Sequence, residues 1–384
     1  MTVPYVPRLL ELEAKLHEKS YFLFGPRQIG KTKLIKNTLS QYKSYNLLNA
    51  KTYAALAHNP AKIREELKPG DRIVIVDEIQ KLPTLLDEIQ LMIDDLGVNF
   101  LLTGSSARKL KRSGSNLLGG RARSLSLHPF VYPELQKVGR FDLLTAMNHG
   151  LIPSLYFSSD PQADFAAYVG NYLQIEVSAE AAVRNIPAFS RFLHVIAQCN
   201  AEMINWAQVS SDAQVAASTV REYFQILVDT FVAYELKAWG VTEKRKPIST
   251  SKLYLFDVGL AEYLRNASPI REGSAEFGHA FESWIFHELR SYCDLRGFSE
   301  GLRYWRSTSQ LEVDFILNEK IAIECKAKQN IGSRDLTGLR ALSEEVHFKH
   351  QIVVSMETEE RKVGAIRILP WRVFLEELWD GHLI

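Results

Sequence analysis

The chain has few cysteines and no long apolar run. Its three cysteines, Cys199, Cys293 and Cys325, lie far apart among 384 residues, and this spacing predicts neither a disulfide framework nor a zinc site. No run of about 18 apolar residues occurs, and the N-terminal sequence lacks a basic segment followed by an apolar one, so neither a transmembrane helix nor a signal peptide is predicted. These absences favour a cytoplasmic protein without a membrane partner.

An excess of charge of either sign is also missing. Lys and Arg number 46 against 45 Asp and Glu, and the net charge of +1 neither predicts nor excludes a polyanionic partner. Any surface for nucleic acid must therefore be local. With 46% apolar residues among 384, the chain is long enough for two or three domains with packed cores.

A short apolar strand near the N-terminus leads into a glycine loop. Tyr21-Phe-Leu-Phe is followed by Gly-Pro-Arg-Gln-Ile-Gly-Lys-Thr, which matches G-x-x-x-x-G-K-[ST]. Such a loop turns its N–H groups toward an anion, and the helix that follows adds the positive end of its dipole. We expect it to bind the phosphates of ATP, with Lys31 at the β- and γ-phosphates and Thr32 as a Mg²⁺ ligand; the alternative is a glycine turn without a ligand. The predicted nucleotide-binding residues are Gly25, Pro26, Arg27, Gln28, Ile29, Gly30, Lys31 and Thr32.

A β-branched run further along the chain ends in two acids. Ile-Val-Ile-Val at 73–76 precedes Asp77 and Glu78, and it predicts a strand buried on both faces of a parallel sheet. Successive strand residues point to opposite sides, so the two acids have different roles. We expect Asp77 to act with Thr32 at Mg²⁺, and Glu78 to polarise the water that attacks the γ-phosphate. The alternative is that both acids cap the next helix.

A second strand with a polar end follows a helix predicted over 85–96. Asn-Phe-Leu-Leu-Thr at 99–103 continues into Gly-Ser-Ser. Ligands of parallel sheets lie beyond the carboxyl ends of the strands. Thr103 and Ser105 therefore either sense the γ-phosphate or cap a helix.

Residues 96–133 contain no acid. Within this stretch Arg121, in Gly-Gly-Arg, is a candidate finger that enters the nucleotide site of a neighbouring subunit. The other basic residues either contact DNA phosphates or form a solvated face; they are Arg108, Lys109, Lys111, Arg112 and Arg123.

These motifs, in this order, resemble the AAA+ ATPases. The resemblance covers the first third of the chain and rests on the loop at 25–32, the strand ending in Asp77 and Glu78, and the Leu-Thr-Gly-Ser-Ser strand with Gly-Arg121. The chain is similar in particular to the bacterial and archaeal branch of this family that carries a C-terminal domain of unknown function. The resemblance implies ATP hydrolysis and assembly into a ring or another homo-oligomer.

The middle of the chain is predicted to be helical and then to form a winged helix. Apolar residues at helical spacing over 131–200 suggest a lid, whose arginines include Arg184 and Arg191. Two helices at 205–209 and 218–228, followed by a strand pair, give the order of a winged helix-turn-helix.

This winged-helix segment either contacts DNA or packs against protein. For DNA, the second helix would enter the major groove and the basic loop at 243–247 would contact phosphates. The residues of that helix expected to face outward are Ser218, Thr219, Arg221, Glu222 and Gln225.

The last third combines acids and a lysine across a predicted hairpin. Strands are predicted over 311–317 and 321–327. Period-two alternation places Glu324 and Lys326 on one face, and Asp314 points away from its two apolar neighbours. Paired carboxylates suit Mg²⁺ or Mn²⁺, and an adjacent lysine can activate a water molecule.

Asp314 and Glu324-x-Lys326, with Glu282 on a preceding helix, resemble the PD-(D/E)XK nuclease superfamily. The resemblance implies a restriction-endonuclease-like α/β domain in which Glu282, Asp314, Glu324 and Lys326 are catalytic, and Asp314 and Glu324 bind the metal. The pattern is common by chance and depends on its helix-hairpin context. The alternatives are a Glu-Lys pair on an edge strand and a nuclease fold that has lost activity.

The whole chain is therefore predicted to be an α/β protein in four parts. These are an AAA+ P-loop ATPase core at 1–130, a helical lid at 131–200, a winged-helix-like segment at 201–272 and a nuclease-like domain at 273–384. The leading hypothesis couples ATP hydrolysis to metal-dependent cleavage of DNA. The alternatives are a nucleotide-gated switch that binds DNA or protein, and a signalling NTPase with a protein partner.

Overall fold

The computed structural model describes residues 4–106, 118–177, 183, 185–240, 245–298 and 300–384. Within these residues the chain is mixed α/β, with a parallel sheet in the first third, helices in the middle and a separate sheet in the last third. Several predicted basic residues lie outside the described residues; they are Arg108, Lys109, Lys111, Arg112, Arg184 and Lys244.

A parallel sheet organises the first third. Alternate residues of its central strands enter two apolar clusters, one on each face of the sheet, because helices cover both faces. The strands are β1 (Ser20–Phe24), β2 (Lys43–Asn46), β3 (Ile73–Asp77), β4 (Asn99–Gly104) and β5 (Ala122–Ser126), in the order β2-β3-β4-β1-β5. The helices are α1 (Glu13–Glu18), α2 (Lys31–Thr38), α3 (Ala50–His58), α4 (Lys62–Glu65) and α5 (Leu85–Leu96).

The middle segment is mainly helical. It contains α6 (Tyr132–Lys137), α7 (Leu143–His149), α8 (Pro153–Tyr156), α9 (Pro161–Ala167), a π-helical stretch (Tyr168–Val177), α10 (Ile186–Gln198), α11 (Trp206–Ala213), α12 (Ala217–Asp229), the antiparallel strands β6 (Ala233–Leu236) and β7 (Lys252–Leu255), and α13 (Val258–Leu264). Helices α10, α11 and α12 share one apolar cluster through Phe189, Val209 and Phe224. The five residues of α12 predicted to face outward are exposed or half-buried.

A mixed sheet organises the last third. Its elements are α14 (Ala275–Arg296), β8 (Leu302–Arg306), β9 (Glu312–Leu317), β10 (Ile321–Lys326), α15 (Thr337–Ser343), β11 (His350–Ser355), β12 (Arg361–Val363), β13 (Ile366–Pro370) and α16 (Trp371–Trp379), with strand order β12-β13-β11-β10-β9-β8. Strands β9 and β10 form the predicted antiparallel hairpin. Helix α14 packs on one face of the sheet, and α15 contributes to the apolar cluster on the other.

The segment between β6 and β7 is hydrogen-bonded to the edge of this C-terminal sheet. The Trp239 N–H donates to the Tyr304 carbonyl at 2.7 Å, and the Ile248 N–H donates to the Arg306 carbonyl at 2.8 Å. The Arg245 guanidinium, in the basic loop that would contact DNA phosphates, forms ion pairs with Glu344 at 2.6 Å and Glu345 at 3.1 Å. Contact of this loop with DNA stays a prediction.

Two further observations concern cysteines and membranes. Cys293 and Cys325 are buried thiols, and Cys199 is a half-buried one. In the part of the chain that the structure describes, no helix combines the length and the apolar character needed to cross a bilayer.

Candidate nucleotide site and a second acidic site

The glycine loop lies between β1 and α2, as predicted. Its first glycine, Gly25, has φ of 146°, and a Cβ there would collide with the Leu127 carbonyl oxygen. Gly30 has φ of 99° directly before α2. Both conformations are difficult for residues with a side chain, which explains why glycine stands at the two ends of the loop.

The predicted ligands of Mg²⁺ and phosphate meet at the carboxyl ends of β1, β3 and β4. The Lys31 ammonium donates to the Gly25 and Pro26 carbonyls at 2.7 and 2.8 Å. The Thr32 hydroxyl donates to Asp77 Oδ2 at 2.9 Å. The Thr103 hydroxyl donates to the other oxygen of Asp77. Thr103 is fully buried, and its contact with a γ-phosphate stays a prediction.

Glu78 is held by a residue that the sequence reasoning did not identify. Its φ of 66° is uncommon for a residue with a side chain, and its N–H donates to Thr103 Oγ1 at 3.0 Å. The Gln80 amide donates to the Glu78 carboxylate and to Ser105 Oγ at 3.2 Å. Gln80 thus joins Glu78 to Ser105. The only sequence signal is the order Asp-Glu-Ile-Gln directly after the buried strand.

A cavity of about 520 Å³ opens beside these residues, a volume typical of ligand sites. One wall comes from the glycine loop, Thr32 and Glu78, and the opposite wall comes from residues 154–172 of the middle segment. The two walls are joined where the Ser154 hydroxyl donates to Gln28 Oε1 at 3.0 Å. The middle segment therefore closes one side of the cavity.

A buried arginine outside the motif braces the glycine loop. Arg8 donates to the Ile29 carbonyl at 2.8 Å and to the Pro129 carbonyl at 3.2 Å. Its guanidinium also forms an ion pair with Glu134 at 2.8 Å, and both side chains are 4% exposed. No sequence pattern could identify Arg8, because its partners lie far away in the chain.

The arginines proposed from the sequence have partners of their own. Arg121 is about one-third exposed and forms an ion pair with Asp94 at 2.6 Å. Arg123 donates to the Tyr21 hydroxyl at 3.4 Å, and Arg191 donates to the Ala213 carbonyl at 3.2 Å. A role for Arg121 in a neighbouring subunit stays a prediction.

The C-terminal hairpin brings Asp314, Glu324 and Lys326 together. The antiparallel register pairs Phe315 with Ile323. Asp314 and Glu324 are therefore the next residues on the two adjacent strands. The Cys325 N–H donates to Asp314 Oδ2 at 2.8 Å, and the Lys326 ammonium donates to Glu324 Oε1 at 2.5 Å. Both acids are 7% exposed, and Glu324 Oε2 is buried without a hydrogen-bond partner in the described part of the chain.

The electrostatics of this second site reflect crowded acids. Burial raises the pKa of Asp314, and the charge of Glu282 raises it further. Burial also raises the pKa of Glu324, and the charge of Asp314 adds to that effect. Burial alone would lower the pKa of Lys326, but the nearby Glu324 and Asp314 outweigh it and raise that pKa. The site therefore favours added positive charge.

Glu282 of α14 lies close to these acids but is bonded to the middle segment. Its carboxylate accepts from the Lys252 ammonium at 3.0 Å and from the Tyr254 hydroxyl at 2.7 Å. Among the residues that the structure describes, no three His, Cys, Asp or Glu side chains form a group that could hold a metal ion. Lys252 and Tyr254 were not predicted, since β7 lies in a different part of the sequence.

Three family models match successive parts of the chain. An AAA domain model matches residues 17–136. The first third of the chain is therefore similar to AAA-type P-loop ATPase domains. The remaining matches are to a domain of unknown function (DUF8612) at residues 140–271 and to a domain of unknown function (DUF4143) at residues 277–374.

Similar proteins occur in bacteria and archaea. The uncharacterized protein Rv2008c of Mycobacterium tuberculosis is 25% identical over 320 residues, which are 79% of this chain and 68% of that protein. The uncharacterized protein MJ1544 of Methanocaldococcus jannaschii is 22% identical over 340 residues, covering 80% and 74%.

Two solved structures are also similar to the chain. The Walker-type ATPase PABY2304 of Pyrococcus abyssi aligns with a TM-score of 0.42 and 15% identity, covering 66% of this chain and 93% of that one. The Orc1 protein of Aeropyrum pernix, in complex with DNA, aligns with a TM-score of 0.27 and 14% identity, covering 65% and 86%.

Proposed function

We propose that the chain binds ATP in the 520 Å³ cavity and hydrolyses it. The observation that carries this proposal is the hydrogen bond that joins Thr32 to Asp77 at 2.9 Å, next to the Lys31 ammonium and Glu78. A hydroxyl and a carboxylate at the end of a glycine loop are oxygen donors of the kind that Mg²⁺ prefers. The residues present therefore fit an ATP–Mg²⁺ site.

Each residue then has a defined task. Thr32 and Asp77 would hold Mg²⁺, which neutralises phosphate charge when it is bound. Lys31, which donates to two loop carbonyls, would turn its ammonium to the β- and γ-phosphates. Glu78, aimed by Gln80, would orient the attacking water and accept its proton.

Nucleotide binding can be tested by thermal unfolding of the full chain with ATP and Mg²⁺. A ligand at about 100 times its Kd stabilises the folded state by about 2.7 kcal/mol, so we expect a clear rise of the unfolding midpoint. Lys31→Ala should remove most of that rise. Lys36→Ala alters an exposed lysine of the same helix and should leave it unchanged; an equal rise in all three proteins would contradict the proposal.

A second candidate function is metal-dependent cleavage of a phosphodiester at the C-terminal site. It is favoured by the contact of Asp314 with the Cys325 N–H, the Glu324–Lys326 pair, and the buried Glu324 Oε2 that lacks a partner. This donor set suits Mg²⁺ or Mn²⁺. Asp314 and Glu324 would hold the ion, and Lys326 would steady the charge that builds on a phosphate.

DNA is the substrate that we favour for this second function. Helices α11 and α12 followed by β6 and β7 have the order of a winged helix-turn-helix. The outward face of α12 includes the exposed Arg221, whose guanidinium lies 5.5 Å from the Trp206 ring centroid. This face would contact the duplex.

The cleavage function is tested with linear single- and double-stranded DNA in Mg²⁺ or Mn²⁺. We expect cleavage by the full chain, lost in Asp314→Asn and Lys326→Met. Lys320→Met, at the exposed turn of the same hairpin, is the matched control and should cleave like the parent. DNA binding that falls with salt, without cleavage, would instead favour a nucleotide-gated switch.

A further inference from the structure

The acidic residues of the C-terminal site surround a lysine from another part of the chain. Lys252, at the start of β7, is 3% exposed. Its ammonium lies 3.0 Å from Glu282 Oε1 and 2.5 Å from Glu312 Oε1, and 5.6 Å from the centroid of the Tyr304 ring. A lysine this deeply buried is uncommon unless it is paired, and here it contacts two carboxylates.

The attachment of the middle segment to β8 explains how Lys252 reaches this position. The Trp239 and Ile248 N–H groups bond to the edge of β8, and the Tyr304 hydroxyl donates to the Thr250 carbonyl. The chain therefore runs along the sheet edge immediately before Lys252. Two residues later, the Tyr254 hydroxyl donates to the same oxygen of Glu282 at 2.7 Å.

The charges around Lys252 are not fully balanced. Glu282 and Glu312 contact Lys252. Burial alone would lower the pKa of Lys252, but the charges of Glu282 and Asp314 raise it. Glu324 pairs with Lys326. Arg306 pairs with Glu312 at 2.9 Å, so these four acids face three cations. The buried Glu324 Oε2 has no partner among the described atoms. A divalent cation that entered here would meet the acids but would also be repelled by the ammonium of Lys252.

We propose that Lys252 is a resident counter-ion that closes the C-terminal site, and that it competes with a divalent cation for the charge of Glu282 and Asp314. The proposal rests on the second candidate function and adds that Lys252 lowers the metal affinity of this site. Residues 154–172, which line the nucleotide cavity, and β7 belong to the same middle segment.

The test is calorimetric titration of Mn²⁺ into the full chain without nucleotide. Removing a buried positive charge beside the acids should tighten Mn²⁺ binding by Lys252→Met at least about tenfold relative to the parent. Adding Glu282→Gln should abolish that gain. Lys237→Met alters an exposed lysine at the start of the segment bonded to β8. This variant should bind Mn²⁺ like the parent.

Equal Mn²⁺ affinity in the parent and Lys252→Met, or a gain that survives Glu282→Gln, would overturn the proposal. If Lys252→Met is unfolded without metal, Mn²⁺ is expected to restore its fold, and a variant that stays unfolded in saturating Mn²⁺ also overturns it. The readout is metal affinity, so it is separate from cleavage. If the parent cuts no DNA but Lys252→Met still binds Mn²⁺ more tightly, the nuclease function is rejected and the role of Lys252 is kept.

Discussion

Two neighbouring side chains hold Glu78 in a defined position. Its backbone is left-handed, with φ of 66°, directly after Asp77 at the end of β3. Gln80 then fixes the carboxylate, and Thr103 fixes the N–H. Glu78 is thus held by a turn that strand alternation does not predict, and its role separate from that of Asp77 stays a prediction.

We predict that Glu78→Gln slows ATP turnover by at least about 100-fold while ATP binding is retained, because loss of a general base typically costs two to four orders of magnitude. The measurement is steady-state phosphate release beside a nucleotide-binding titration. Glu18→Gln, an exposed change, is the control. Unchanged turnover in Glu78→Gln would assign the water-orienting role to another residue.

Glu288 is a buried acid outside both sites. Its oxygens accept from the Tyr132 N–H and the Trp379 indole N–H, at 2.8 and 2.9 Å. Burial raises the pKa of Glu288 to about 8, above its ordinary value of 4.5. The folded chain therefore binds a proton that the unfolded chain releases between these values, so this acid's contribution to stability is present below pH 4.5 and is lost as the pH rises toward 8.

We predict that Glu288→Gln removes this pH dependence. The free energy of unfolding of the parent should fall relative to the variant between about pH 5.5 and 7.5, by at most about 1.4 kcal/mol per pH unit. Urea unfolding at several pH values measures the difference. Burial also lowers the pKa of the neighbouring His287 to about 3, but that group is common to both proteins. A difference that does not change with pH would show that Glu288 titrates normally.

At the scale of elements, the packing of α15 on β9 depends on a glycine. A Cβ on Gly338 would collide with the Glu312 carbonyl oxygen, and Glu312 also pairs with Lys252. By contrast, a Cβ on Gly278 in α14 would meet no atom within 4 Å. Gly338 therefore permits the close approach of α15 to β9, whereas Gly278 only lowers the stability of its helix.

We predict opposite effects from the two alanine substitutions. Gly338→Ala should lower the free energy of unfolding by about 1–3 kcal/mol, because the sheet and helix must separate. Gly278→Ala should raise it by about 0.5–1 kcal/mol through helix propensity. Urea unfolding of both variants measures this. Stabilisation by Gly338→Ala would mean that α15 does not pack closely on β9.

Elements with strong patterns were predictable from the sequence. The helix predicted over 85–96 is α5, and the buried run before Asp77 is β3, because a 3.6-residue period and a β-branched run are local signals. The C-terminal hairpin followed from alternation in the same way. The turn at Glu78 and its hydrogen bond from Gln80 were not predictable, because a left-handed conformation at a residue other than glycine has no sequence signal.

For the whole molecule, the sequence could not predict the contacts that join its parts. Arg8 bonds to a carbonyl of the glycine loop and to Glu134, which lies 126 residues away. Lys252 lies 30 residues before Glu282 and 60 before Glu312, yet it contacts both. Such pairs depend on how separate elements pack, and a single sequence contains no pattern for them.

These long-range contacts also limit what each part does by itself. The middle segment forms one wall of the nucleotide cavity and is hydrogen-bonded to the edge of the C-terminal sheet. It also places Lys252 beside Glu282. A shift in the position of this segment would therefore alter both sites.

Steady-state phosphate release from ATP and Mg²⁺ by the purified full chain is the decisive test of ATP hydrolysis at the glycine loop. We expect turnover by the parent chain and by Lys36→Ala, and its loss in Lys31→Ala, because Lys31 lies at the end of the glycine loop and lines the cavity, whereas Lys36 is exposed further along α2. Absence of phosphate release by the parent, or release by Lys31→Ala at the parent's rate, would rule out ATP hydrolysis at this site.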